Sequence, residues 1–163
     1  MCPSIPRYSI KSPLGVIADT HGVLRDEALC LLEECELILH LGDVGSKETD
    51  KTILLRLQAM ASVHCVKGNI DTAAWARSLP IHRDIIVNGQ HLHLVHRLED
   101  FDPKTSCAAL LHGHSHKPRN QYQDGKLLFN PGSAGKRRFK LPITLGKLWV
   151  DQRGVRGAII HLL

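Results

Sequence analysis

The first half of the chain alternates short apolar runs with helical stripes, and this order constrains the fold more than any other feature. Apolar runs at residues 14–19, 37–43 and 62–69 predict three strands. Between them, residues 25–35 and 48–60 carry apolar side chains at helical spacing. Strands that alternate with helices at these distances predict a parallel sheet with right-handed crossovers.

The second half has a different pattern, in which strands are paired by tight turns. Asn88-Gly89 and Asp124-Gly125 each separate two runs of strand character, which predicts two β-hairpins. A third hairpin is predicted across residues 145–162. A parallel α/β half followed by a mostly β half predicts an α/β protein with two mixed sheets.

Length and composition limit the class of protein. The 163 residues predict a single domain over 1–163, in which residues 1–13, interrupted by prolines, form a loose N-terminal extension. A net charge of +5 permits an anionic ligand but does not by itself predict nucleic-acid binding. Five cysteines without a C-x-x-C pair favour a reducing cytoplasm over a disulfide framework. No apolar run has the roughly 18 to 20 residues of a membrane helix.

Oxygen and nitrogen donors follow the apolar runs, at the points where strands should end. The seven donors are Asp19, His21, Asp43, Asn69, His96, His114 and His116. The carboxyl ends of strands are where open α/β sheets bind ligands, and residues two apart on extended backbone point the same way. The pattern therefore predicts a shared metal site at one edge of the sheets.

The donor set predicts the kind of metal. Two carboxylates, one amide and four imidazoles, with no sulfur, suit two divalent cations. We expect manganese first, with iron, nickel or zinc as alternatives. Such a pair of cations attracts a phosphate ester and lowers the pKa of bound water, which makes a metal-dependent phosphoesterase the leading hypothesis.

The clusters, in their order and spacing, resemble the calcineurin-like metallophosphoesterases, in particular the small single-domain bacterial and archaeal phosphodiesterases. The resemblance covers about residues 14–150 and implies a four-layer α/β/β/α sandwich. The family pattern of D-x-H, G-D, G-N-x-D, H and G-H-x-H is matched by Asp19/His21, Gly42/Asp43, Gly68/Asn69/Asp71, His96 and Gly113/His114/His116.

The resemblance also implies roles for these residues. Asp19, His21 and His116 would hold the first metal, and Asn69, His96 and His114 the second, with Asp43 bridging the two. A hydroxide activated by both metals would attack a small-molecule phosphate ester, preferably a phosphodiester. Asn69 and His114 are thereby implied as catalytic as well as metal-binding, and Asp71 as a residue that orients a ligand without binding metal.

Three departures from the family pattern bear on substrate. Arg97 stands where relatives have glycine, and is a candidate either for contact with the substrate phosphate or for a position in solvent. Residues 97–113 are too few for the usual helix, so a single turn or irregular loop is expected there. Ile70 replaces the histidine that protonates the leaving group in many relatives, which leaves His112 or Asp71 as candidate acids.

Two other functions stay open at this point. A scaffold of the same fold that binds proteins without catalysis is the first, although all seven donors are present. A nuclease is the second, and nucleic acid is an unexpected partner because the chain lacks aromatic platforms along a basic groove. The basic segment 135–140 could recruit an anionic substrate, but a solvated loop is the favoured interpretation. The sequence predicts neither the oligomeric state nor the physiological substrate.

Overall fold

The computed structural model describes residues 4–45 and 51–162. Two short helices connect the strands of the first half, and the strands of the second half pair mainly as hairpins. The helices are α1 (Asp26–Leu32) and α2 (Thr52–Gln58). The strands are β1 (Arg7–Tyr8), β2 (Leu14–Ile17), β3 (Leu37–His40), β4 (Ser62–Cys65), β5 (His82–Val87), β6 (Gln90–Val95), β7 (Ala109–Leu111), β8 (Arg119–Gln123), β9 (Lys126–Asn130), β10 (Thr144–Asp151) and β11 (Gly154–His161).

These strands form two mixed sheets. The five-stranded sheet has the order β11-β10-β2-β3-β4, in which β2, β3 and β4 are parallel as the βαβαβ pattern predicted. The six-stranded sheet has the order β1-β5-β6-β7-β9-β8. The three predicted hairpins are confirmed as β5–β6, β8–β9 and β10–β11. Asn88 and Gly89 both have positive φ, as a two-residue hairpin turn requires.

The sheets pack face to face over an apolar core to which both contribute. Leu14, Leu39 and Leu148 from one sheet join Leu94 and Phe129 from the other in one buried cluster. A second cluster lies on the outer face of the five-stranded sheet, beneath α1 and α2. The predicted α/β fold with two mixed sheets is confirmed.

The outer face of the six-stranded sheet has much thinner cover. Between β6 and β7 the chain forms only the 3₁₀ turn Leu98–Asp100, which confirms the expectation of a single turn in this segment. Leu98 and Phe101 from this segment line one cavity together with Leu110 and Leu128 of the sheet. Polar groups of β5 and β6 therefore remain partly open to solvent on this face.

The predicted loose N-terminal extension is wrong for residues 7–10. Arg7 and Tyr8 add a parallel strand to the edge of β5, and the Ile86 N–H donates to the Pro6 carbonyl. The Asn88 side chain then bonds both the N–H and the carbonyl of Ile10. The edge of β5 offered unpaired backbone groups, and the N-terminal segment satisfies them.

The two predicted helices are present and shorter than their apolar stripes. The helix predicted from residue 48 lies partly outside the described residues, because its first three positions fall between 46 and 50. Within the described part of the chain, no helix is long and apolar enough to cross a membrane.

Candidate metal centre

All seven predicted donors lie at strand ends along one edge of the two sheets. Asp19 follows β2, Asp43 follows β3 and Asn69 follows β4, so the first three come from neighbouring parallel strands. The histidines come from the six-stranded sheet, with His96 directly after β6, and His114 and His116 after β7. Because the sheets face each other, their strand ends bring the two sets of donors together.

The donors sit on unusual backbone. Five of the seven have positive φ, a conformation that non-glycine residues seldom adopt: Asp19 (54°), His21 (46°), Asp43 (56°), His114 (72°) and His116 (60°). Such strain persists only where surrounding contacts impose it, and it gathers at functional sites. Each of these side chains leaves its strand at a sharp turn and points into a common space.

The first group of donors is Asp19, His21 and His116. The His116 Nε2 lies 3.6 Å from the Asp19 Oδ1 and 3.4 Å from the His21 Nε2. The His21 Nε2 is 3.9 Å from the same Asp19 oxygen. Three ligand atoms at these separations could bind one cation between them.

The second group is Asp43, His96 and His114, with Asn69 beside it. The His96 Nε2 lies 3.3 Å from the Asp43 Oδ2 and 2.9 Å from the Asn69 Oδ1, and the His114 Nδ1 is 3.0 Å from that amide oxygen. The Asp43 Oδ2 is also 3.7 Å from the His21 Nε2 of the first group. Asp43 is thus the carboxylate that joins the two groups.

The environment of His96 tests whether a cation fits. Its Nδ1–H donates to the Leu41 carbonyl at 2.7 Å, so the neutral ring turns a bare Nε2 toward the oxygens of Asp43 and Asn69. Burial lowers the pKa of His96, but the hydrogen bond and charge of Asp43 raise it further, and the net shift is upward. The ring therefore favours a positive charge at Nε2, which a proton or a divalent cation can supply.

Asp19 gives independent support for the same fit. It is fully buried, and its Oδ1 has no hydrogen-bond partner, while Oδ2 accepts the His114 N–H at 3.1 Å. Burial raises the pKa of Asp19 to about 7, with a further upward contribution from Asp43. A buried carboxylate oxygen without a donor is costly, and a cation between His21 and His116 would remove that cost.

The remaining histidines of the site favour the neutral form that binds metals. Burial lowers the pKa of His21 and of His114, and lowers that of His116 to about 4. An unprotonated imidazole can donate its lone pair to a metal ion. Folding therefore already favours the neutral form of these three imidazoles, before any metal binds.

Asp71 supports the loop that carries Asp43. Its Oδ2 accepts the N–H groups of Asp43 and Gly68, at 2.9 and 2.8 Å, and its Oδ1 accepts the Val44 N–H at 3.0 Å. With both oxygens occupied and the residue buried, Asp71 is not free to act as an acid toward a leaving group. A Cβ on Gly68 would lie 2.1 Å from the Asp43 nitrogen, so glycine is required at this contact.

Two other candidates, Arg97 and His112, do not line the cavity at the donors. The Arg97 side chain is exposed, with its Nε 3.4 Å from the Asp100 carboxylate, and its charge contributes to the lowered pKa of His114. Contact between Arg97 and a substrate phosphate therefore stays a prediction. Burial lowers the pKa of His112 to about 4, so near neutral pH its ring favours the neutral form over the imidazolium that would serve as a general acid. His112 also lines a different cavity, behind His114.

The basic segment 135–140, for which a solvated loop was the favoured interpretation, contributes to the wall of the site. Lys136, Arg137 and Arg138 line a cavity of about 380 Å³ together with His21, Asp43, Asn69, Ile70, His114 and His116. The loop is fixed at its start, where the Arg25 guanidinium donates to the Gly135 carbonyl at 3.1 Å. The G-K-R-R run was the available signal, but its position over the donors depends on tertiary structure.

Comparison with known proteins identifies the family of this chain. Residues 13–153 match the family described as Calcineurin-like phosphoesterase superfamily domain. A probable metallophosphoesterase of Methanothermobacter thermautotrophicus is 29% identical over 135 residues, which cover 74% of this chain and 76% of that protein. A probable metallophosphoesterase of Methanocaldococcus jannaschii is 33% identical over 138 residues, covering 74% and 67%.

Solved structures have the same fold at lower identity. Vps29 of Chaetomium thermophilum superposes with a TM-score of 0.73 at 18% identity, covering 93% of this chain and 95% of that one. Yfce, a phosphoesterase from E. coli, gives a TM-score of 0.68 at 24% identity, covering 84% and 88%. The chain is a two-sheet α/β protein whose clustered Asp and His side chains are suited to divalent metal ions. It belongs to the calcineurin-like phosphoesterase superfamily.

Proposed function

We propose that this protein hydrolyses phosphate esters, with a preference for phosphodiesters, at a centre of two divalent cations. The observation that carries the proposal is the meeting of two Asp/His groups, linked by Asp43, in one cavity lined by cationic side chains. Divalent cations bound there supply charge for the phosphoryl oxygens and a water activated for attack at phosphorus. Nitrogen and oxygen donors without sulfur accept manganese, iron, nickel or zinc. Manganese is the first candidate, and the other three metals are alternatives.

The positions of the residues suggest which of them would bind each cation and which would face the substrate. Asp19, His21 and His116 would hold one cation, Asn69, His96 and His114 would hold the other, and Asp43 would contribute to both. Asn69 and His114 are the exposed members of the set, so they stand on the side from which a substrate approaches. There the Asn69 amide and the His114 ring can contact the phosphoryl oxygens and favour the charge that develops on them.

The basic loop recruits and orients the anion. Lys136, Arg137 and Arg138 face the donors across the cavity, and the charge of Arg138 contributes to the lowered pKa of His21 and His116. The negative charge of a phosphate group placed between this loop and the cations would face positive charge on both sides. Guanidinium groups bind phosphate oxygens through paired hydrogen bonds, which adds orientation to attraction.

The preference for a diester rests on what adjoins the centre. Arg138 also lines a second cavity of about 790 Å³, with Phe139 and Leu141 among its walls, which can hold a second ester substituent. Phe139 is 85% exposed, so its ring is available for a bulky or aromatic group. Because Ile70 lines the cavity and cannot donate a proton, esters with good leaving groups should react best.

The proposal is tested with bis(4-nitrophenyl) phosphate and 4-nitrophenyl phosphate after reconstitution with Mn²⁺. Asp43→Ala and Asn69→Ala should each lower kcat at least about 100-fold with unchanged circular dichroism. Asp102→Ala, at an exposed position outside the cavity, should retain activity. Full turnover in Asp43→Ala would refute the assignment.

The same experiment separates the alternatives. A protein-binding scaffold would bind fewer than two cations by elemental analysis and would hydrolyse neither ester. A nuclease would cleave a single-stranded oligonucleotide faster than the small diester, with a steep loss of activity at higher salt.

A further inference from the structure

A second set of metal-type side chains lies on the outer face of the six-stranded sheet. Ile85 and Leu92 point into the core between the sheets, so their neighbours in β5 and β6 point outward. The outward side chains include Asp84, His91 and His93. This is the face that the short segment between β6 and β7 leaves thinly covered.

Antiparallel pairing brings these three residues together. Asp84 lies directly opposite His93 in the β5–β6 ladder, and His91 precedes His93 by two positions on the same face. The Asp84 Oδ1 accepts hydrogen bonds from the His91 Nε2 at 2.6 Å and from the His93 Nδ1 at 2.7 Å. Two nitrogens from alternate positions of one strand therefore meet a carboxylate from the next strand.

The surroundings hold the group in place on one side and leave it open on the other. His93 has a side-chain exposure of 5%, and its ring packs 5.7 Å from the His82 ring and 5.5 Å from the Phe101 ring. Asp84 and His91 are 28% and 30% exposed, so solvent and ions reach them directly. Burial raises the pKa of Asp84, but the bonds from His93 and His91 lower it more, so the carboxylate is charged.

We propose that Asp84, His91 and His93 form a separate site for a zinc-class divalent cation. Two imidazole nitrogens and one carboxylate oxygen are a common three-ligand set for zinc, with water in the fourth position. The three ligand atoms already lie within 4.8 Å of one another, and a tetrahedral shell with bonds of about 2.0 Å needs them about 3.3 Å apart. To bind the cation, each ring would pass the proton on its bonded nitrogen, through solvent, to its other ring nitrogen. The His91 Nε2 and the His93 Nδ1, now 2.6 and 2.7 Å from the Asp84 Oδ1, would then move away from that oxygen by about 0.6 to 0.7 Å.

This site is distinct from the centre at the strand ends. His93 stands three residues before His96 in the chain, which is about 10 Å along extended backbone. None of Asp84, His91 and His93 lines the cavity of that centre. A cation here would cross-link β5 and β6 without contact to the proposed substrate.

The test separates the two sites by removing the first. In an Asp43→Ala/His116→Ala background, Co²⁺ is titrated into the protein, and visible absorption reports a low-symmetry, imidazole-containing shell. We expect one equivalent to bind, and Zn²⁺ to displace it. His91→Ala added to this background should weaken Co²⁺ binding at least about 100-fold, whereas His161→Ala, at an exposed position of β11, should leave it unchanged.

Two further measurements keep the outcome decisive. Asp84→Asn retains the shape of the side chain and should also abolish binding, which covers the case of poor folding in one variant. In the otherwise wild-type protein, His91→Ala should leave phosphodiester turnover unchanged. The site is refuted if the background binds no Co²⁺, or if His91→Ala and Asp84→Asn both bind as the background does; the trio would then be a hydrogen-bonded group only.

Discussion

Replacing Asp71 with asparagine tests how the chain holds the loop of its bridging carboxylate. Asp71 is 3% exposed and accepts three backbone N–H groups, from Asp43, Val44 and Gly68. An asparagine in the same place can present one oxygen to Asp43 and Gly68, but its amide nitrogen then faces the Val44 N–H. One charge-assisted hydrogen bond becomes a contact between two donors.

The size of the effect follows from that contact. A lost hydrogen bond to a charged group, with a buried donor left unpaired, costs about 3 kcal/mol. For a domain of this size, the melting temperature falls by about 2 to 4 °C per kcal/mol, so Asp71→Asn should melt about 6 to 12 °C below the wild type. The displaced loop should also weaken cation binding about 10- to 100-fold.

Thermal unfolding followed by circular dichroism in the presence of a chelator measures the first effect, and calorimetric titration with Mn²⁺ measures the second. Asp151→Asn is the matched control, since Asp151 accepts the Arg153 and Gly154 N–H groups in an exposed turn. It should change the free energy of unfolding by less than about 0.5 kcal/mol. An Asp71→Asn protein that melts within about 1 °C of the wild type would refute this account of the loop.

Three other predictions follow from particular contacts. His40 is fully buried, and burial lowers its pKa to about 3, below the value of 6.5 for an unfolded chain. The neutral ring therefore contributes its full share to the free energy of unfolding above pH 6.5. This share declines as the pH falls from 6.5 toward 3. In urea unfolding with a chelator, the wild type should lose about 2 kcal/mol more than His40→Gln between pH 6.5 and pH 5, and equal losses would contradict the shift. Gly68→Ala places a Cβ 2.1 Å from the Asp43 Oδ1 and should abolish high-affinity Mn²⁺ binding in a calorimetric titration. Unaltered Mn²⁺ affinity would contradict this prediction, because the Asp43 loop would then accommodate the methyl group without loss of the site. Gly146→Ala places a Cβ 2.4 Å from the Phe129 ring and should cost about 1 to 3 kcal/mol in urea unfolding, with no effect on Mn²⁺ affinity.

A substitution in the basic loop should affect substrate binding more than the chemical step. Arg138→Ala should raise the KM for bis(4-nitrophenyl) phosphate several-fold and reduce the salt dependence of kcat/KM, with a smaller change in kcat. Arg153→Ala removes an equal charge from an exposed position and should alter neither. An unchanged KM in Arg138→Ala would place the loop outside the substrate path.

The sequence by itself determined both helices, most of the strands and the seven candidate donors. Apolar runs and helical stripes predicted β2, β3, β4, α1 and α2, because burial depends on local periodicity. Asn88-Gly89 and Asp124-Gly125 predicted their hairpins, because few residues tolerate the positive φ of such turns. The seven donors could be picked out because four of the five clusters that hold them follow an apolar run, and because the order of the clusters resembles a family pattern. Whether they bind two metals stays a prediction.

Only the tertiary structure decided which distant segments meet. The strand at Arg7–Tyr8 exists because β5 has an open edge, and the basic loop covers the donors because Gly135 packs against Thr20. Asp71 ties three backbone groups together, and Asp84 meets His91 and His93 only through the register of a hairpin. Local periodicity fixes what is buried, whereas these contacts depend on long-range pairing between segments that no sequence window contains.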